Sequence, residues 1–256
     1  MLKTRVMPCL LLKNGRLVKT VRFKEEKYIG DPLNAVRIYN QKEVDELVIY
    51  DITKTTQGEA IDFNLIEKIA SQCFMPVCYG GGVKSLEDFK TLFSLGIEKV
   101  SVSSLLFEDP KVVCQAAEVF GTQSIIGTVD LSKPFFSSRY SIKTHSATKK
   151  QNIKLSEIVS YCEGLGIGEI IVNNINREGT WEGFDNELLK IITNEATVPV
   201  VAVGGAGCLD DIKSAVHIGG VSAVCIGSLA VFQSKGMGVL IKFPTMSELE
   251  NLFERE

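Results

Sequence analysis

Eight short apolar runs punctuate the chain: Arg5–Leu12, Glu46–Asp51, Pro76–Tyr79, Lys99–Ser103, Ser124–Asp130, Glu169–Asn173, Pro199–Val203 and Ala223–Ile226. Each is nearly continuous in apolar residues, as strands buried on both faces must be. Amphipathic stretches with helix start and stop residues lie between them. Asp31-Pro32 places an N-cap residue before a proline at the first helical position. Ser85 with Glu87-Asp88 opens another helix, and Gly96 closes it. Eight β-then-α units in about 250 residues predict one α/β domain, a (β/α)8 TIM barrel over residues 1–256. A doubly wound open sheet is the alternative.

The pattern is also written twice. Glu46-Leu-Val-Ile-Tyr-Asp matches Glu169-Ile-Ile-Val-Asn-Asn, Pro76 matches Pro199, and Gly81-Gly82 matches Gly204-Gly205. Leu86-Glu-Asp-Phe-Lys matches Leu209-Asp-Asp-Ile-Lys, and Gly96 matches Gly219, each pair 123 residues apart. The barrel is therefore expected to be a two-fold half-barrel repeat, with halves of about 1–123 and 124–256. Leu131–Asn152, which holds Arg139, His145, Lys149 and Lys150, reads as a long loop without structure of its own.

Composition narrows the function classes. With 45% hydrophobic and 23% charged residues the chain is an ordinary soluble globule, and 256 residues bury a core without staples. A net charge of −3 gives no basic footprint for nucleic acid. No apolar stretch is long enough for a membrane span, and the first residues carry no cleavable signal pattern. Seven cysteines, odd in number and without a CxxC pair, read as small buried hydrophobes in a reducing cytoplasm. No cluster has metal-ligand spacing, no GxSxG motif occurs, and no cofactor is expected.

Candidate chemistry follows the repeat. Gly80-Gly81-Gly82 follows the third run and Gly204-Gly205-Ala206-Gly207 follows the seventh. Ser103-Ser104 follows the fourth run and Gly227-Ser228 the eighth. Glycines let backbone N–H groups approach an anion, and a helix start behind them favours negative charge. Two phosphates are thus expected at opposite sides of one barrel face. Tight turns alone are the competing reading.

Several segments at fixed spacing resemble the cyclase subunit of imidazole glycerol phosphate synthase, over essentially the whole chain. They are Arg5–Lys19, Gly30-Asp31-Pro32, Asp45–Thr53, Gly80–Gly82, Glu98–Ser104, Asn176–Thr180 and Gly204–Gly207. The sister isomerase of histidine biosynthesis shares the half-barrel repeat. The resemblance implies a lower-face (N-terminal) partner, a glutaminase subunit, whose ammonia passes up the barrel to a bis-phosphorylated acceptor. It implies two aspartates as general base and acid, one after the first strand and one after the fifth. Asp130 matches the second, and Leu11 stands where the first belongs. A leucine moves no proton, and such a loss costs about 10²–10⁴-fold in rate.

Other upper-face positions depart from the family pattern. Its SxDRDGT motif reads here Asn174-Ile-Asn176-Arg-Glu178-Gly179-Thr, its Asn-Thr pair reads Ser103-Ser104, and its Lys-Asp-Gly turn reads Lys13-Asn14-Gly15. Lys19 matches a family lysine near one phosphate. Asp51 is either a ligand contact or a turn stabiliser, and Asp130 either a chemical group or a structural hydrogen bond. The lower face has not drifted: Arg5, Glu46, Lys99 and Glu169 match the charged ring that gates the ammonia path. A structural salt-bridge ring is the alternative, and Glu98 beside it is either a partner contact or a solvated charge. His145 and His217 read as solvated. The resemblance with Leu11 implies a paralogue, of the kind that serves acetamidino-sugar synthesis. A genuine histidine-pathway cyclase, a non-catalytic ammonia-channelling scaffold and an isomerase are the other readings.

Overall fold

The computed structural model describes residues 4–134 and 139–254. Eight parallel strands close on themselves: β1 (Arg5–Lys13), β2 (Leu47–Asp51), β3 (Val77–Gly80), β4 (Lys99–Val102), β5 (Ile125–Ser132), β6 (Glu169–Asn174), β7 (Val200–Val203) and β8 (Ala223–Ile226). Each pairs with its neighbours in sequence, and β8 returns to β1 through Arg5↔Ala223 and Met7↔Cys225. The expected barrel is present, and its strands begin and end within two residues of the apolar runs.

Alternation along the strands sorts side chains into two cores. Val6, Leu10 and Leu12 of β1 face outward, with Leu47 and Ile49 of β2, into a large shell shared with the helices. Met7, Cys9, Val48, Cys78, Ile126, Ile171, Val201, Ala223 and Cys225 face inward and fill the barrel. The predicted helix starts are made by their capping residues. Asp31 Oδ1 accepts the Asn34 N–H at 3.0 Å ahead of helix Pro32–Gln41. Ser85 and Asp88 cap each other ahead of Leu86–Ser94.

Two expectations need correction. The segment after β5 is not a structureless loop. Strand β5 continues to Ser132 and pairs antiparallel with Ser141–Thr144, which pairs in turn with Lys149–Lys150. The corresponding end of β1 does the same through Arg16–Val21 and Glu25–Gly30. Duplicated strands thus carry duplicated hairpins, masked in the sequence by polar residues such as Lys19, Thr20 and Thr144 at buried positions. The cysteines are not uniformly buried either: Cys9, Cys78, Cys162 and Cys225 are, Cys73 and Cys114 are half-buried, and Cys208 is exposed. Cys208 sits just ahead of helix Leu209–His217, where its backbone N–H donates to Asp211 at 3.1 Å.

Candidate active site

The C-terminal ends of the strands surround a cavity of about 230 Å³. Leu11, Lys19, Asp51, Gly82, Ser103, Ser104, Asp130, Glu178, Gly179, Gly204, Gly205, Gly227 and Ser228 all line it. Upper-face residues picked out in the sequence therefore share one space, because each ends a strand or begins the loop beyond it.

Asp130 is one of three buried carboxyl groups lining this space, with Asp51 and Glu178. It accepts from Asn173 Nδ2 at 2.9 Å across the β5–β6 pairing. Burial pushes it up to about 7, against the pull of the Asn173 bond and the nearby Ser103 hydroxyl, with the Glu178 charge adding to the rise. A carboxyl group poised there exchanges protons at neutral pH. Asn173 Oδ1 and Ser103 Oγ beside it are buried with no aligned hydrogen-bond partner. Leu11, paired in register with Tyr50, adds hydrocarbon to the same wall.

The two glycine turns hold backbones in close approach. Gly81 has φ +123°, and a side chain there would run into the Asp51 carbonyl; Gly205 has φ +124° and lies likewise against the Gly183 carbonyl. The turns differ in their neighbours. The Gly82 N–H already donates to Thr55 Oγ1 at 3.1 Å. Near the other turn, Lys19 lies over Gly227, where a Cβ would fall 2.9 Å from the Lys19 Cε. Lys19 pairs with Glu178, which also accepts from the Thr20 hydroxyl and the Phe23 N–H, both at 3.1 Å. Its charge is thus partly spent on a buried partner. Asp51 Oδ1 takes the Thr53 N–H and hydroxyl at 3.1 and 2.8 Å, which is turn stabilisation.

At the opposite end the strands present four charges to one another. Arg5 reaches Glu46 at 2.7 Å and also Glu169, while Lys99 reaches Glu46 at 2.8 Å and Glu169 at 3.0 Å. Both carboxylates are buried. Burial opposes the charge on Lys99, but Glu169 and Glu46 outweigh it and raise its proton affinity. The alternating ring lies at the lower mouth of the barrel. Glu98 beside it is exposed, as is His217.

Three participants were not legible as such. Tyr50 points into the barrel and bonds Thr128 at 2.7 Å, with Ser101 at 3.3 Å; its inward phase on β2 was the available signal. Thr55 had none. His145, expected in solvent, instead lines the cavity and bonds to its wall. Its position depends on the hairpin that the sequence did not reveal. Among the described residues no His, Cys, Asp and Glu group is arranged to hold a metal ion.

Residues 5–235 match the model of the family described as Histidine biosynthesis protein. The chain belongs to that family. Within the histidine biosynthesis protein family it is HisF-like. A provisionally named imidazole glycerol phosphate synthase subunit HisF of Leptospira interrogans is 44% identical, over 99% of this chain and all of the relative. A provisionally named subunit hisF2 of Pseudomonas aeruginosa is also 44% identical, over 98% and 99% of the two chains. The imidazole glycerol phosphate synthase subunit HisF of Nitratidesulfovibrio vulgaris is 37% identical over 90% of each.

Proposed function

We propose that this chain is the ammonia-receiving barrel of a two-component glutamine amidotransferase, acting in the cytoplasm on or beside a ligand with two phosphate ends. The carrying observation is the placement of two features at opposite ends of one barrel. Below lies the closed ring of Arg5, Glu46, Lys99 and Glu169. Above lies a cavity with a carboxyl group poised near 7. A glutaminase subunit would dock on the lower face and ammonia would enter when the ring opens. The interior beyond it is filled by apolar side chains, Met7, Cys9, Val48, Cys78 and Ile126, whose contacts would suit passage of a neutral molecule and penalise ammonium. At the top, Asp130 would hold or release a proton, Asn173 Oδ1 and Ser103 Oγ would meet polar atoms of the ligand, and the two glycine turns would take its phosphates.

Leu11 sets the limit of that chemistry. With one of two proton-transfer groups replaced by hydrocarbon, ring closure as in the family loses a step. The chain then serves as a paralogue, delivering ammonia toward an acetamidino sugar. The same residue favours a second reading, a scaffold that activates the glutaminase without chemistry of its own.

Mixing the chain with the glutaminase subunit tests this. Glutamine hydrolysis should rise, while imidazole product from the family's bis-phosphorylated substrate should form at least about 10²-fold more slowly than with a carboxylate-bearing relative. Leu11→Asp should recover part of that difference. Ring closure at the relative's rate by the unaltered chain would sink the paralogue, and no effect on the glutaminase would sink the whole proposal.

A further inference from the structure

The two hairpins above the barrel end in left-handed backbone at residues that are not glycine. Arg22 and Phe23 have φ 54° and 61° at the first tip, and His145, Ser146 and Ala147 have φ 54°, 51° and 70° at the second. Such conformations persist only where neighbours hold them, and they gather at ligand sites. The first tip is latched by Glu178, which takes the Arg22 N–H on its carbonyl at 2.9 Å and the Phe23 N–H on its carboxylate at 3.1 Å. The second is braced within itself. Thr148 donates its N–H and hydroxyl to the His145 carbonyl at 3.2 and 2.7 Å, and Gln151 donates to Thr144 Oγ1 at 2.7 Å.

The brace aims the His145 ring at the cavity wall. Nδ1 lies 3.3 Å from Ser104 Oγ and 3.2 Å from Thr144 Oγ1, and Nε2 lies 3.1 Å from Glu108 Oε1. Glu108 fixes which edge of the ring faces the carboxylate, so the Nδ1 edge is turned to Ser104. Ser104 belongs to the glycine-turn side formed by Gly81 and Gly82, and all of these residues line one cavity with His145.

The other side carries a parallel arrangement. Lys19, also on a hairpin, lies over Gly227 and faces Glu178. Each phosphate grip therefore has one hairpin-borne nitrogen group set against one carboxylate: Lys19 against Glu178, and His145 against Glu108. We propose that His145 is an anion-contact residue, meeting a phosphate monoester held between Ser104 and the Gly81-Gly82 turn, so that binding at this end is linked to a proton. The inference rests on the phosphate-binding reading above. A lysine stays charged throughout the physiological range and a histidine does not, so the two ends of a bis-phosphate would be held with different pH dependence.

Other charges face the same ring. Lys149 approaches the same Glu108 oxygen at 3.4 Å, and Lys84 and Asp130 line the cavity. Because Asp130 also titrates, the measurement must read His145 itself. The chain has two histidines, so their ring resonances can be followed against pH by NMR, with His145→Gln for assignment. Sulfate is the probe, since its charge is constant where a phosphate monoester's is not. Saturating sulfate, compared with chloride at equal ionic strength, should raise the proton affinity of His145 about tenfold and leave His217 unmoved. Ser104→Ala should shrink the effect. Equal movement of both histidines would overturn the proposal as general screening. If the Gly82 and Ser104 amides respond while His145 does not, the His145 role falls and the phosphate reading stands. If none of them responds, both fall at this end of the cavity.

Discussion

The ring of Tyr50 lies where a side chain on Gly80 would otherwise stand. A Cβ built on Gly80 falls 2.7 Å from Tyr50 Cδ1 and Cε1 and 2.9 Å from the Ser101 carbonyl oxygen. The Tyr50 hydroxyl joins Thr128, whose own hydroxyl is 2.6 Å from Ser101 Oγ, so three strands meet through hydroxyls inside the barrel. Gly80→Ala should therefore push the ring aside and destabilise the fold by about 1–3 kcal/mol. Tyr50→Leu in the same chain should recover at least half of that. Denaturant melts of the four proteins check the coupling, and strictly additive effects would contradict the shared space.

Asp130 gives the stability a definite pH dependence. Its carboxyl group is raised to about 7 in the fold, chiefly by burial, against an ordinary value near 4 in the unfolded chain. As pH rises between these values the unfolded chain gives up the proton and the folded one keeps it, which favours unfolding. The loss grows above pH of about 4 and levels off above about 7. Asp130→Asn should thus leave stability unchanged in acid and raise it at pH 8 by about 1–3 kcal/mol, read from thermal or denaturant melts. A variant less stable than the parent at pH 8 would show that burial is not the governing cause.

Removing one member of the lower ring should be costly. Lys99→Met leaves Glu46 and Glu169, with side chains 6% and 8% exposed, sharing Arg5 alone. The expected loss is about 2–4 kcal/mol, reduced from a fully buried pair because Lys99 is itself partly exposed. Glu46→Gln in the same chain should restore part of it by removing a carboxylate. Equal loss with and without the second change would argue that packing, not charge, holds this mouth.

Phe74 offers a test of the lower face. It is 89% exposed, and its loop is pinned by Asn40, which accepts the Phe74 N–H at 3.0 Å and donates to the Gln72 carbonyl at 2.7 Å. In the second half Glu163 pins the matching loop by accepting from Thr197, an exposed polar residue. The device is duplicated, but only the first half presents an aromatic. Phe74→Ser should leave the melting temperature within a degree or so, since surface changes are worth about ±0.5 kcal/mol. It should weaken binding of a glutaminase subunit at least about tenfold in titration calorimetry. Undiminished binding would place the contact elsewhere.

The barrel was legible because its signal is local and redundant. Apolar runs that mark strands buried on both faces recur eight times, capping residues such as Asp31 and Ser85 announce the helices, and similar segments recur at a spacing of 123 residues. Since every run ends on the same face of such a barrel, residues just beyond the runs could be assigned to one site without coordinates. The upper-face residues line a single cavity for that reason, and Arg5, Glu46, Lys99 and Glu169 meet because each begins or precedes a strand.

Chain order alone left undecided what depends on groups arriving from distant elements. Whether Lys19 stands free or faces Glu178, and whether His145 lies in solvent or against Ser104, depends on how two hairpins fold over the barrel mouth. Their strands are short and carry polar residues such as Lys19, Thr20 and Thr144 at buried positions, so periodicity does not reveal them. The titration of Asp130 likewise follows from burial and from Asn173 on the neighbouring strand. Linear sequence determined the periodic backbone framework and the face on which each residue emerges. Tertiary packing decided which charges are neutralised, which hydroxyls remain unpaired and which side chains reach the cavity, because desolvation and hydrogen bonding act through space.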